Sequence, residues 1–175
     1  MARVSRRGGF TLVELLVVIA IMAIVAVIGF SMDGWENRSQ AESKVQQVYS
    51  DLMNARERAI TQKRWVFVIF AKNNNVYGYN IYLDTSPVPD GDGAYEAGQD
   101  TRVGPNWNLP GQIAMRVNNK QDPFQLNISP NGILNGTGTI YMQSSTPPQL
   151  NCIAWSTTDI SLGTWDTNKN VCNPD

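Results

Sequence analysis

The residues best placed to do chemistry lie at the start of the chain. Gly8 and Gly9 precede Phe10-Thr11-Leu12-Val13-Glu14, which runs into Leu15 to Phe30, a stretch without a charge. A secretory signal is cut after its apolar core, in a small-residue setting. Here the small residues come before the core. Hydrolysis after Gly9 would therefore leave the apolar segment on the mature chain and create an α-amino group on Phe10, four residues from Glu14. From Phe10 to Phe30 the only polar side chains are Thr11 and Glu14. A carboxylate inside a lipid-facing helix is costly and is usually kept for a function; a headgroup-level glutamate that snorkels into water is the plainer alternative. In a dry bundle of helices neither the ammonium nor the carboxylate stays unpaired cheaply. Paired within one helix they lie about one turn apart. Paired between neighbouring chains they would fix the stagger of the helices.

Other candidates are weaker. Asp90-Gly-Asp92-Gly-Ala-Tyr-Glu96 puts three carboxylates in one loop. An EF-hand needs Asp or Asn at its fifth position, where this chain has Ala94, so the expectation is a solvated acidic loop and no metal site. Cys152 and Cys172 are the only cysteines. Outside the cytoplasm they pair as one disulfide closing a short terminal loop; the alternative is two buried thiols. Trp107, Trp155 and Trp165 with Tyr77, Tyr79 and Tyr82 could stack on a ligand or simply pack the core and neighbouring strands. The absence of histidine removes His-based triads, general bases and zinc sites. No nucleophile–base pair, phosphate-binding glycine loop or metal-spaced cysteine cluster is present. The chain reads as a structural subunit, not an enzyme, with no cofactor.

The elements that must position these residues follow from length and periodicity. The 175 residues, less a membrane segment, suffice for one globular domain. Phe10 to Phe30 is close to the ~20 apolar residues a helix needs to cross a bilayer. Arg3, Arg6 and Arg7 before it hold the N-terminus in the cytoplasm and send the remainder outward. Ala41, Val45, Val48, Leu52, Ala55 and Ala59 then fall on one stripe of an amphipathic helix reaching about Gln62. No proline occurs between Met1 and Ser86, which favours one long helix, although Ser31-Met32-Asp33-Gly34 could kink it. After Arg64 the chain reads as β: Trp65 to Phe70 and Val76 to Leu83 as a hairpin, then Ile113–Val117, Phe124–Ile128 and Thr139–Gln143. Cys152–Ser156 and Ile160–Trp165 complete the set as a final hairpin. Pro87 to Pro110 is a long loop, and Asn131-Gly132 marks a turn. The simplest arrangement lays one sheet across the second half of the helix, an α+β fold.

Gly9-Phe10-Thr11-Leu12-Val13-Glu14 followed by an apolar run resembles the class III signal of type IV pilins and type II secretion pseudopilins. The resemblance covers about the first thirty residues. It implies cleavage between Gly9 and Phe10 by a prepilin peptidase, N-methylation of Phe10, and assembly with other pilin or pseudopilin subunits through the N-terminal helix. Residues 1–9 would be the leader, 10–30 the membrane and assembly half of the helix, 31–64 its amphipathic half, and 65–175 the globular domain. The chain would start in the bacterial inner membrane with its globular domain in the periplasm, then join a pilus or pseudopilus. Phe124-Gln-Leu-Asn-Ile-Ser-Pro-Asn-Gly132, the Gly138–Met142 strand and the Cys152 hairpin are similar to the GspH/FimT group of pseudopilins and minor pilins. Some members of that group bind DNA through arginines near the C-terminus. After Lys120 this chain has only Lys169 as a basic residue, and loss of the three leader arginines takes its net charge from −1 to near −4. Phosphate contacts need cations, so nucleic acid is not an expected partner. The rival reading is a DNA- or ligand-binding receptor on a simple membrane tether.

Overall fold

The structure, a computed structural model, describes residues 11–30, 32–73, 76–104, 114–118, 122–144 and 147–174. The chain divides into two units whose boundary falls between Glu36 and Asn37. In the first unit, helix α1 spans Leu12–Phe30. Helix α2 spans Met32–Gln62. Continuity of the two would pass through Ser31, which lies outside the described residues.

Within the second unit, the apolar stripe of α2 is the base of the core. Ala41, Val45, Val48, Leu52, Ala55 and Ala59 are all 0–1% exposed, as the 4-3-4-3-4 spacing requires of a single buried face. The helix stops at Gln62 because Lys63 turns into the left-handed region, φ 56°, a common way to end a helix even without glycine.

The strands that cover this stripe form two antiparallel sheets, where the sequence pattern predicts one. In the first, β1 (Val66–Asn73) pairs with β2 (Val76–Leu83), in register from Val66↔Leu83 to Asn73↔Val76. A two-residue strand, β3 (Thr101–Arg102), extends the β2 edge. In chain order β4 (Ala114–Val117) follows, and then β5 (Phe124–Ile128), which closes the first sheet against β1. The second sheet joins β4 to β6 (Gly138–Gln143), then β7 (Cys152–Trp155), β8 (Ile160–Asp166) and β9 (Val171–Pro174). β1 and β2 are rich in aromatic and β-branched residues, which suit a pleated, half-buried surface. On β2, Tyr77, Tyr79, Ile81 and Leu83 alternate inward. The Cys152 hairpin is not final: β9 adds a strand beyond it, and Cys152 and Cys172 form a disulfide with Cα atoms 5.9 Å apart.

The turn after β5 carries the chain from one sheet to the other and presses on α2. Gly132 has φ +76° and its N–H donates to the Ser129 carbonyl at 2.8 Å. The positive φ favours glycine there, and a Cβ would also press on Ile60, 2.7 Å from its Cδ1. Arg56 Nε donates to the Gly132 carbonyl at 2.9 Å, and Tyr79 Oη donates to Asp51 Oδ2 at 2.7 Å, tying helix to turn and helix to sheet. One hydrophobic cluster includes residues of α2 and of both sheets.

Candidate functional site

The N-terminal motif begins the described part of α1. Thr11, Leu12, Val13 and Glu14 have the spacing of a capping box. The Glu14 N–H donates to Thr11 Oγ1 at 3.3 Å, and the Thr11 N–H donates to Glu14 Oε2 at 3.5 Å. Two of the N–H groups that every helix start leaves without an intrahelical partner are thus satisfied reciprocally. Glu14 also lies where the positive end of the helix dipole favours a carboxylate. To the lipid-exposed and paired-charge readings of Glu14 this adds a second role, for which the Thr-x-x-Glu spacing is the sequence signal. Gly9 and Phe10 lie outside the described residues.

Beyond Glu14, α1 has no polar side chain in its described part. Its large apolar side chains from Leu12 to Val25 are 49–81% exposed. Among the described residues no helix is long and apolar enough to cross a membrane. The span expected to do so, residues 10–30, includes Phe10 and the side chains of residues 27–30, which are not among those described.

The candidate ligand-binding aromatics are mostly committed to packing. Tyr77, Tyr79 and Trp155 are buried. Tyr79, Phe70, Phe124 and Trp155 form a chain of ring contacts, with centroids 5.7–5.9 Å apart, that crosses from the first sheet to the second. Trp165 stacks on Tyr141 at 4.1 Å. Trp107 lies outside the described residues.

The second concentration of functional groups is in the loop between β2 and β3. The three carboxylates expected to share one solvated loop separate into two environments. Asp90 points outward and pairs with Arg64 at 3.5 Å, and Asp92 accepts the Ala94 N–H at 2.9 Å in an exposed turn. Glu96 instead turns inward to meet Asp84, the residue after β2, and Asp100, the residue before β3. One carboxylate oxygen from each of the three lies within 4.8 Å of the others. Asp84 is fully buried and Asp100 nearly so.

The loop is folded tightly enough to hold them there. Asp100 Oδ1 accepts the Thr85 and Ser86 N–H groups at 3.0 and 3.3 Å, and its Oδ2 accepts the Glu96 N–H at 2.9 Å. Asp84 Oδ2 accepts the Gly93 N–H at 2.8 Å, and the Asp84 N–H donates to the Trp65 carbonyl at 3.0 Å. Gly91, φ +77°, passes so close that a Cβ on it would lie 1.9 Å from Asp84 Oδ1. Tyr95 packs its ring against Phe67 and Tyr82 of the first sheet. Burial pushes the Asp84 carboxyl above the usual range, opposed by the Gly93 hydrogen bond and reinforced by the charges of Asp100 and Asp92. Glu96 is raised in the same way, first by desolvation and then by Asp92, Asp100 and Asp84. Asp84 and Asp100 lie on either side of the Asp90–Glu96 motif, and no spacing rule in the sequence joins them to it.

Comparison with known proteins bears on the N-terminus. The family described as the prokaryotic N-terminal methylation motif matches residues 4–30. Residues 4–30 thus carry the N-terminal motif expected of a type IV pilin-like protein, and the chain is of α+β class, with helix α2 packed on antiparallel sheets. Among solved structures, the type IV minor pilin FimU of Pseudomonas aeruginosa is similar over 73% of this chain and 87% of its own, at 16% identity and a TM-score of 0.48. No curated protein matches the sequence.

Proposed function

We propose that the chain is a minor pilin or pseudopilin subunit, made as a precursor and built into a type IV pilus or type II secretion filament through its N-terminal helix. The observation that carries this reading is the methylation motif running directly into α1, whose apolar side chains are exposed and whose one described charge is Glu14. An apolar surface of that extent calls for lipid or for like helices beside it. A prepilin peptidase would hydrolyse the Gly9–Phe10 bond, leaving a carboxylate on Gly9 and an ammonium on Phe10. Methylation of Phe10 keeps the cation. Residues 10–30 would hold the precursor in the inner membrane, N-terminus inward and globular domain in the periplasm. During assembly, Glu14 of an incoming subunit would pair with the Phe10 ammonium of a neighbour, setting the stagger while apolar flanks supply adhesion.

The test is recruitment to the filament in a host with the matching machine, comparing Glu14→Gln, Glu14→Asp and Glu14→Ala with wild type. Gln and Ala should both be excluded, and Asp partly retained. Assembly of Gln as readily as Glu would overturn the charge pair; absence of wild type itself from the filament would favour a receptor on a simple tether. Mass spectrometry of the assembled chain should find methylated Phe10 at its N-terminus.

A further inference from the structure

We propose that Asp84, Glu96 and Asp100 form a calcium site that fastens the β2–β3 loop to the first sheet. Three carboxylates converge at one point, each giving an oxygen within 4.8 Å of the other two. Oxygens on opposite sides of an ion with bonds of about 2.4 Å are separated by about that distance. The independent observation is Asp84 itself. It is 0% exposed, and its Oδ1 is buried with no hydrogen-bond partner. Glu96 Oε2 is buried and unpartnered too. Buried polar atoms are almost always satisfied, and a carboxylate oxygen left bare is costlier than a neutral one.

No ion pair to these three carboxylates is present among the described residues; the nearby Arg64 is engaged outward, with Asp90 and the Pro89 carbonyl. A cation would satisfy the bare oxygens and relieve the mutual repulsion together. The donor set is all oxygen. With no histidine in the chain and both cysteines in the disulfide, softer metals lack their usual ligands. Between the hard cations, burial decides. An ion beside a fully buried Asp84 must shed most of its water, which magnesium does reluctantly and calcium readily, and calcium accepts the irregular geometry a loop provides. This departs from the sequence expectation because two of the ligands come from strand ends, outside the spacing of the Asp90–Glu96 motif. It is also independent of the filament reading: the site belongs to the second unit.

The experiment uses the full chain in detergent, stripped with a chelator and titrated with calcium chloride or magnesium chloride alone. Equilibrium dialysis should find one calcium per chain. Saturating calcium should raise the melting temperature of the globular unit by on the order of 5 °C, with a smaller rise from magnesium. Glu96→Gln, at a half-buried position, should weaken calcium binding at least about tenfold. It should melt no lower than wild type in chelator, because one of three crowded charges is gone, yet below wild type in calcium. Asp84→Asn should behave alike; if it fails to fold, Glu96→Gln decides the matter. The double variant Asp90→Asn, Asp92→Asn should bind calcium within about twofold of wild type, since exposed charges outside the cluster contribute little. The proposal is overturned by absent stoichiometric binding, by wild-type affinity in Glu96→Gln, by equal response to magnesium, or by equal loss in the double variant. That last result would mean a diffuse acidic surface.

Discussion

The two helices of this chain are built to opposite rules. α2 has one apolar stripe, and its own chain covers it: six small and medium residues vanish beneath the sheets while Glu42, Lys44, Gln46 and Asp51 occupy other faces. α1 is apolar all round, and its side chains from Leu12 to Ala26 are exposed. A helix of the first kind is specified by periodicity, because only one face has to match a partner. A helix of the second kind is specified by composition and by its ends, since any face can be buried once lipid or other helices surround it. The difference teaches where information resides. In α2 a single substitution changes folding. In α1 it changes an exposed surface.

The contrast is broken most directly by making the same cut in both helices. Leu52→Ala removes a 0%-exposed side chain and should destabilise the globular unit by about 2–5 kcal/mol in denaturant unfolding. Leu16→Ala, at a site 61% exposed, should leave that transition within about 0.5 kcal/mol. Equal effects would mean that α1 and the globular unit unfold together. Next in size, Cys152→Ser with Cys172→Ser opens a closed loop with a sequence separation of 20 residues and should cost about 3 kcal/mol on the loop-entropy account, read as a lower melting temperature. A reductant should lower wild type toward the double variant and leave the variant unmoved. Smaller again, Tyr79→Phe keeps the ring on Phe70 but removes the hydroxyl bonded to Asp51, and should cost about 1 kcal/mol.

How much of this fold is legible in the sequence depends on the range of the interaction. The α2 stripe is readable residue by residue because a helix period is local. β1 and β2 are readable from runs of Val, Ile, Phe and Tyr. The division of the strands into two sheets is not, because β1 pairs with β5 across some sixty positions of sequence through Val66↔Ile128 and its neighbours. β3 is two residues at the end of a loop rich in Gly, Asp and Pro, and β9 carries Asn173 and Pro174. Neither has a pattern long enough to stand out. The acidic cluster is half visible: Glu96 belongs to a recognisable acidic motif, but Asp84 and Asp100 sit sixteen positions apart, brought together only by the folded loop. At the N-terminus the opposite holds, since Gly9, Phe10 and Glu14 form a motif within six consecutive residues and need no distant partner to be read.

An effect of similar size, about 1 kcal/mol, tests the N-terminal motif. Glu14 has two candidate duties, a capping box with Thr11 and a charge offered to a neighbouring subunit, and Glu14→Gln removes the charge while leaving the cap. Glutamine can still reach back to the Thr11 N–H, because a capping box accepts Glu or Gln at its fourth position. Thr11→Ala does the converse. It removes the Oγ1 that accepts the Glu14 N–H at 3.3 Å and leaves the carboxylate in place. Loss of a cap of this kind costs about 1 kcal/mol of helix stability, visible as faster amide exchange in the first turn of α1. If Glu14 serves mainly as a charge, Thr11→Ala should fray that turn yet assemble nearly as well as wild type, while Glu14→Gln keeps the turn and fails to assemble. If instead the cap is what assembly requires, the order reverses: Thr11→Ala is excluded from the filament and Glu14→Gln enters it. The two variants displace exchange and recruitment in opposite senses, so one pair of measurements decides which duty keeps a carboxylate in an otherwise apolar helix.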